Sequence, residues 1–258
     1  MNYNKFILII YYWNFLKNNT SKRNLIMIGI ICALKEEIDE ILIFTKNIKT
    51  ENCYPFKFIT GTIFGVNCCI VLCGVGKVSS AACTQALILK YHPDLILNVG
   101  VAGGIDKNIS IGDIVIADFV IQHDFDTSPF PGRQKGEISD LNLIKIPCSK
   151  WITNKLLICS QKITDVNLHT GTILTGDQFI NSKEKLYELK SEFGGKACEM
   201  EAGSIGHVCY LNKTDFGIIR SISDHADSNS VQNFEKFVKN SSKKASLLLA
   251  EFIKSSQD

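Results

Sequence analysis

Several acidic side chains stand directly after apolar runs of the sequence, where carboxylates could do chemistry. Glu36 and Glu37 follow the run "MIGIICAL", and Glu199 and Glu201 flank Met200 in "KACEMEAGSIGHVC". The motif "SDHAD" follows a further apolar run near the C-terminus. Burying a carboxylate costs free energy unless another group pairs with it. These acids are therefore the first candidates for a functional site.

The elements that must position these acids follow a regular pattern. From Met27 onward, short apolar runs alternate with longer amphipathic ones, which predicts βα units around a largely parallel sheet. The expected strands cover 27–33, 56–63, 66–73, 94–99, 113–121, 170–175 and 215–222. The expected helices cover 36–46, 78–92, 150–163, 182–193, 201–213 and 234–256. The segment 127–142, which holds two prolines and two glycines, is expected to be a long loop.

Four motifs follow the ends of these strands, namely "KEE", "GVAGG", "GDQFI" and "SDHAD". In open α/β sheets, ligands bind beyond the carboxyl ends of the strands. We therefore expect the four motifs to meet in one cleft. Such a cleft would hold carboxylates, glycines that permit close approach and an aromatic ring, but no basic cluster.

Composition limits the class of protein. The chain has 258 residues, of which 45% are hydrophobic and 21% charged, and we expect one α/β domain over residues 27–258. The formal charge is only +2 and there is no long basic run, so the sequence does not predict the basic surface that binds nucleic acid. The apolar stretch in residues 1–26 is too short to span a bilayer and lacks a signal-peptide cleavage site. We expect residues 1–26 to be a disordered or untranslated extension, with no role at a membrane.

The ten cysteines contain no C-x-x-C pair. Most lie in apolar runs such as "VNCCIVLCGV", where a free thiol behaves as a small hydrophobic group. We interpret them as reduced core residues of a cytoplasmic protein, with a zinc site or a disulfide as the alternative.

The stretch "LCGVGKVSS" is similar to two nucleotide-binding motifs and fits neither. A P-loop requires glycine and Ser or Thr at the positions of Val71 and Val78. A dinucleotide fingerprint would use Gly74 and Gly76, but Ser79 stands in place of its third glycine. A tight β-to-α turn that needs positive φ at a glycine is the better interpretation.

The run "QHDFD" brings together His123, Asp124 and Asp126. Neighbouring side chains on a strand point to opposite faces, so the run offers at most two metal ligands on each side. We expect neither a metal nor a cofactor.

Seven motifs taken together, in order, resemble the 5′-methylthioadenosine/S-adenosylhomocysteine nucleosidases of the nucleoside phosphorylase superfamily. They are "GIICALKEEI", "GVGKV", "NVGVAGG", "QHDFDTSPF", "TGDQFI", "EMEAGSIGHVC" and "RSISDHAD". The resemblance runs from Met27 to about the end of the chain, with parts of 131–150 unmatched. It implies a three-layer α/β/α fold around a central mixed, largely parallel sheet.

The resemblance also implies a reaction. The N-ribosyl bond of 5′-methylthioadenosine, S-adenosylhomocysteine and 5′-deoxyadenosine would be hydrolysed to adenine and the 5-substituted ribose, in methionine salvage and S-adenosylmethionine recycling. Asp224 matches the general acid that protonates adenine N7, and Glu37 matches the base that activates water. Glu201 matches the group that holds the ribose hydroxyls. An oxocarbenium-like transition state needs such carboxyl groups on opposite faces.

Further ligand contacts carry over by motif. Gly103 would let the backbone approach the ligand, and Met200 would pack under the sugar. Phe179 would stack on the purine, and Ile180 would bond its edge through main-chain groups.

The pocket for the 5′-alkylthio group would have Val75 and Phe234 as walls. Phe130 and Thr127 would close the same pocket from a neighbouring subunit, which implies a homodimer. A dimer would also explain an apolar loop that a monomer has little reason to expose.

Three residues need separate interpretation. Val101 stands where many family members have a serine that can bond the catalytic aspartate, so support for Asp224 must come from elsewhere. Glu199 has no motif role, and we expect it to pair structurally with a basic or amide group. Arg220 is expected to be a structural partner of an acid, either Glu199 or Asp224.

Two alternatives remain on the same fold. A phosphorylase would capture phosphate with arginine or a nest of amides, whereas Lys77 is expected to point into its helix and no arginine lies nearby. A catalytically inactive nucleoside-binding protein would not need the acid, base and ribose residues, all of which are present. The sequence does not rank the three nucleosides as substrates.

Overall fold

A mixed β-sheet runs through the computed structural model, which describes residues 27–256. The extension predicted for residues 1–26 lies outside this range. The strands are β1 (Met27–Cys32), β2 (Thr45–Cys53), β3 (Phe56–Ile63), β4 (Val66–Leu72), β5 (Leu95–Gly104), β6 (Ile114–Gln122), β7 (Ile146–Pro147), β8 (Leu168–Thr175), β9 (Ala197–Glu199) and β10 (Asp215–Asp224). The helices are α1 (Lys35–Leu42), α2 (Lys77–Tyr91), α3 (Lys150–Ser160), α4 (Lys183–Phe193), α5 (Ala202–Asn212) and α6 (Ser230–Lys254).

The strand order is β10-β6-β8-β9-β5-β1-β4-β3-β2, and β10 also pairs with β5. Strands β4, β1, β5 and β10 run parallel, which brings their carboxyl ends to one edge. Strand β5 extends beyond the residues that pair with β1, and its last two residues pair with β9. The sheet is therefore not open at this side, because β5, β10, β6, β8 and β9 close into a ring.

Helices cover both faces of the sheet, which confirms the predicted three-layer fold. On one face, α2 and α5 place Leu87 and Ile205 in a buried apolar cluster. On the other face, α1, α3 and α6 contribute Ile41, Ile152 and Phe252 to a second cluster. Alternate residues of β1 and β6 enter the two clusters, as expected for strands buried on both sides.

The helix predicted over 36–46 is too long, since α1 ends at Leu42 and strand β2 follows it. Strand β2 is not predicted from the sequence. It is an edge strand whose side chains are mostly exposed, and it therefore lacks the alternation of apolar and polar residues that indicates a strand. Strands β7 and β9 were also not predicted, since two or three residues carry no periodicity. Helix α6 begins at Ser230, four residues before its predicted start.

All ten cysteines are free, and all but Cys53 are buried. This confirms their interpretation as core residues. Burial raises the pKa of the Cys83 thiol to about 12, so it stays protonated at neutral pH. Between residues 27 and 256, no group of three His, Cys, Asp or Glu side chains could hold a metal ion. Within the same range, every helix is too short or too polar to cross a membrane.

Candidate active site

A cavity of about 290 Å³ opens beside the carboxyl ends of β1, β4, β5 and β10. Nine of the eleven residues expected at the site line it, namely Glu37, Val75, Gly103, Phe179, Ile180, Met200, Glu201, Asp224 and Phe234. The lining is completed by Ala33, Leu34, Val101, Ala102, Gln178, Cys198, Glu199 and Ser223. The structure thus gathers the strand-end motifs into one space.

Glu37 lies in the first turn of α1, and only 3% of it is exposed. Its Oε2 accepts hydrogen bonds from the amides of Ala33 at 2.8 Å and Leu34 at 3.0 Å. Its Oε1 accepts one from the Val101 amide at 3.0 Å, which leaves that oxygen a further acceptor site. Burial raises the pKa of the Glu37 carboxyl, while the charge of Arg220 opposes the rise.

Asp224 ends strand β10 and is equally buried. Its Oδ2 accepts a hydrogen bond from the Ser223 hydroxyl at 2.9 Å, and its Oδ1 accepts one from the Ala226 amide at 2.8 Å. These two groups supply the support for Asp224 that the side chain of Val101 cannot give. Burial raises the pKa of the Asp224 carboxyl, although both hydrogen bonds oppose the rise.

Gly103 has a packing role beside Asp224 that its motif did not predict. A Cβ at this position would lie 2.8 Å from Asp224 Oδ1 and 3.2 Å from the Cβ of Ala226. Both are closer than side chains ordinarily pack. The glycine therefore makes room for the carboxylate of Asp224, in addition to lining the cavity.

Glu201 is the residue before α5, and its carboxylate points toward the glycine turn after β4. Its Oε1 accepts a hydrogen bond from the Gly76 amide at 2.9 Å. Gly76 has a φ of 99°, which confirms the predicted positive-φ turn. Burial raises the pKa of the Glu201 carboxyl to about 8, and the negative charge of Glu199 adds to the rise.

Glu199 forms the structural pair that was expected of it. Its Oε2 accepts hydrogen bonds from Nη2 of Arg220 and from the amides of Glu201 and Ala202, at 3.0 Å and 2.8 Å. Arg220 is fully buried, and its Nη2 also donates to Asn98 Oδ1 at 2.5 Å. Its acidic partners are therefore Glu199 and, with Oε2 3.8 Å from Nη2, Glu201, rather than Asp224.

Arg220 also presents unpaired donors near Glu37. Its Nε and Nη1 have no hydrogen-bond partner among residues 27–256. A Cβ on Gly100 would clash with both Arg220 Nη1 and Glu37 Oε1, so the two groups converge in front of this glycine. Arg220 does not itself line the cavity, although it is the sole arginine within the matched motifs.

Aromatic side chains form the opposite wall of the cavity. The rings of Phe179 and Phe234 meet edge to face, with centroids 5.9 Å apart. Phe179 is 45% exposed and Val75 is 51% exposed, so this wall is open on one side in the single chain. The cavity therefore has a carboxylate side and an apolar, partly uncovered side.

Phe130 and Thr127 do not line the cavity of their own chain. They belong to one turn, in which the Phe130 amide donates to the Thr127 carbonyl at 3.0 Å. The Phe130 side chain is 68% exposed.

The expectation that Lys77 points into its helix is wrong. Its Nζ lies 2.6 Å from Asp124 Oδ1, across from the start of α2. Asp124 also accepts a hydrogen bond from the Asp177 amide at 2.8 Å. The acid of the "QHDFD" run thus pairs with a lysine, and the neighbouring His123 ring is buried against Gly176.

Comparisons with known proteins agree with this geometry. The family model described as "Phosphorylase superfamily" matches residues 27–254. A 5′-methylthioadenosine/S-adenosylhomocysteine nucleosidase from an Exiguobacterium species is 34% identical over 224 residues, covering 83% of this chain and 92% of the relative.

Solved structures give the same result. The 5′-methylthioadenosine/S-adenosylhomocysteine nucleosidase of Neisseria meningitidis, in complex with methylthio-immucillin-A, is similar with a TM-score of 0.86 and 29% identity, covering 90% of this chain and all of the other. The futalosine hydrolase of Helicobacter pylori has a TM-score of 0.86 and 30% identity, covering 91% of this chain and all of the other. The chain therefore belongs to the phosphorylase superfamily and, within it, to the family of 5′-methylthioadenosine/S-adenosylhomocysteine nucleosidases.

Proposed function

We propose that the protein hydrolyses the N-ribosyl bond of 5′-methylthioadenosine and S-adenosylhomocysteine, and also that of 5′-deoxyadenosine. The products are adenine and the 5-substituted ribose. One observation carries the proposal: three buried carboxylates from distant parts of the chain, those of Glu37, Glu201 and Asp224, line a single cavity.

Asp224 is proposed as the general acid. Unprotonated adenine is a poor leaving group, so a proton must reach N7 as the bond breaks. A free aspartate has a pKa of about 3.9 and would be ionised at pH 7. Burial raises the pKa of Asp224 and so favours the protonated form that can donate. A positioned acid of this kind contributes about 10² to 10⁴ in rate.

Glu37 is proposed as the base that orients and deprotonates the attacking water. Three backbone amides fix its carboxylate, and Oε1 keeps one acceptor site for a water proton. This acceptor site fixes the direction from which the water attacks the ribose.

Glu201 is proposed to accept hydrogen bonds from the ribose 2′ and 3′ hydroxyls. The Gly76 amide holds one of its oxygens, so the carboxylate is preoriented before substrate binds. When ionised, the Glu201 carboxylate also stabilises the positive charge that develops on the sugar. Met200, adjacent in the lining, is proposed to pack under the ribose.

The apolar wall is proposed to hold the two ends of the nucleoside. Phe179 stacks on the purine and the main chain of Ile180 bonds its edge, whereas Val75 and Phe234 contact the 5′-alkylthio group. All four residues line the cavity. Gly103 lies on the carboxylate side, beside the proposed acid.

The working form is proposed to be a homodimer. Phe130 is largely exposed and does not line its own cavity, while Val75 and Phe179 leave that cavity open. A second copy that inserted Phe130 and Thr127 would cover the open wall. An exposed aromatic ring and an uncovered pocket are each costly alone and complementary together.

Water is favoured over phosphate as the nucleophile. The lining contains Glu37, Glu199, Glu201 and Asp224 but no lysine, arginine or histidine among the described residues. The nearby cation of Lys77 is neutralised by Asp124. A phosphate dianion would thus find no cation in the lining, since the unpaired donors of Arg220 are fully buried and do not line the cavity, whereas a phosphorylase needs accessible donors or cations for it.

Methionine salvage and S-adenosylmethionine recycling are the proposed setting of the activity. We place the activity in a reducing cytoplasm, which suits ten free thiols, and assign it to a single domain over residues 27–258.

An adenine-release assay tests the proposal. Purified protein is given 5′-methylthioadenosine, S-adenosylhomocysteine, 5′-deoxyadenosine or futalosine, each with and without phosphate, and chromatography identifies the released base as adenine or, from futalosine, hypoxanthine. Futalosine is included because one similar structure is a futalosine hydrolase. We expect release from the adenine nucleosides at a rate that phosphate does not change. A strict requirement for phosphate, or binding without turnover, would show that the phosphorylase or the inactive binding protein is the correct alternative.

A further inference from the structure

The carboxylate of Asp124 joins two segments that are far apart in the chain. Its Oδ1 accepts a hydrogen bond from Lys77 Nζ at 2.6 Å, and its Oδ2 accepts one from the Asp177 amide at 2.8 Å. Asp177 Oδ1 in turn accepts from the Lys77 amide at 2.8 Å. The three residues therefore form a closed set of contacts, which we call the Asp124 cluster.

Both joined segments carry groups of the proposed site. The amide of Gly76, directly before Lys77, donates to Glu201 at 2.9 Å. Asp177 is followed by residues 178–180, which line the cavity and include Phe179. The Asp124 cluster thus sits between the group that orients the ribose carboxylate and the segment proposed to hold the purine.

The ion pair in the Asp124 cluster is mostly buried, unlike an ion pair on the protein surface. The side chains of Lys77 and Asp124 are only 18% and 16% exposed. Although burial raises the pKa of the Asp124 carboxyl, the bonds from Lys77 and the Asp177 amide hold it below its usual value. Asp124 is therefore ionised at neutral pH, and none of the three residues lines the cavity. Any effect on the reaction must pass through the segments that they hold.

We propose that Asp124 is a positioning residue that fixes the Gly76 amide and the 177–180 segment relative to each other for nucleoside binding. This inference rests on the proposed hydrolase function. Lys77 is its charged partner, so the pair acts as one unit. Loss of either member releases the Asp177 amide or the start of α2, and displaces groups that contact purine and ribose.

The test uses the full chain with the variants Asp124→Asn, Lys77→Met and the double variant. The measurements are KM and kcat for 5′-methylthioadenosine, the Kd of adenine by titration calorimetry, and Tm. We expect each single variant to raise KM and the adenine Kd about tenfold or more, because small displacements of positioning groups have large effects. The double variant should show the same loss as one single variant, since coupled residues are not additive. Lys77→Arg should restore KM.

A matched control is Asp106→Asn. Asp106 also accepts from a lysine, Lys196 at 2.7 Å, and from a backbone amide, that of Asn108 at 3.0 Å, but does not line the cavity. Its KM and adenine Kd should equal those of the wild type.

The inference is overturned if Asp124→Asn lowers Tm while KM and the adenine Kd stay at wild-type values. Failure of the proposed function looks different. In that case the wild type itself would not release adenine, while the adenine Kd of Asp124→Asn still reports on the positioning role.

Discussion

Glu199 holds the backbone of Glu201, because its Oε2 accepts a hydrogen bond from the Glu201 amide at 3.0 Å. The same oxygen accepts from Arg220, and the other oxygen accepts from the Thr175 hydroxyl. Two glutamates that are two residues apart therefore have separate tasks. Glu199 fixes the chain, and Glu201 is left to orient toward the Gly76 amide and the cavity.

Removing the charge of Glu199 should destabilise the fold. Glu199→Gln leaves the fully buried Arg220 without its closest counter-ion, and breaking a buried pair costs about 3 kcal/mol or more. Chemical denaturation of the variant measures this loss of unfolding free energy. Glu188→Gln is the matched control, since the ion pair of Glu188 with Lys185 is partly exposed to solvent and should matter little. Equal stability of the two variants would refute the structural role of Glu199.

Asp224→Asn should lower kcat for 5′-methylthioadenosine by about 10² to 10⁴ while the nucleoside still binds, because the amide cannot supply the proton. Steady-state kinetics and a binding titration separate the two effects. Asp227→Asn changes the other aspartate of the same motif, which caps a turn at Asn229 and lies outside the cavity lining. It should keep wild-type turnover. Full turnover by Asp224→Asn would rule out this residue as the acid.

Glu37→Gln should also bind the nucleoside and cleave it about 10² to 10⁴ more slowly, since the amide cannot deprotonate water. Single-turnover adenine release measures the chemical step directly. The neighbouring Glu36→Gln is the control, because Glu36 is exposed and does not line the cavity. If both substitutions had the same small effect, the base would have to be sought elsewhere.

Glu201 should make the stability of the free protein depend on pH. Burial raises the pKa of its carboxyl to about 8, above the value of about 4.3 for an unfolded glutamate. The folded state therefore binds this proton more tightly, and the resulting stability is present below pH 4.3 and lost as pH rises through about 8. As pH rises between these two values, the unfolding free energy of Glu201→Gln should increase relative to that of the wild type. Parallel curves would contradict the raised pKa.

The position of the site follows from sequence because it depends on strand ends. Apolar runs predict β1, β4, β5 and β10, and parallel strands place the residues after them at one edge. The motif "KEE" follows β1, whereas "GVAGG" forms the last residues of β5, which is longer than predicted, and "SDHAD" begins in β10. The three motifs still come together at that edge without knowledge of any side-chain contact.

The contacts within the site do not follow from sequence. Lys77 and Asp124 are 47 residues apart, and their pairing depends on how two loops are placed after the strands. The choice of Glu199 over Asp224 as partner of Arg220 depends on strand register, which a short strand such as β9 does not reveal. Strand β2 lacks apolar alternation because most of its side chains are exposed.

The identity of the sugar product is the most direct test of hydrolysis. Purified protein is incubated with 5′-methylthioadenosine in phosphate buffer, and the sugar is identified by mass spectrometry. Free 5-methylthioribose, formed together with one adenine per nucleoside consumed, is the predicted result. Accumulation of 5-methylthioribose 1-phosphate would contradict it, because phosphate rather than the water oriented by Glu37 would then be the nucleophile.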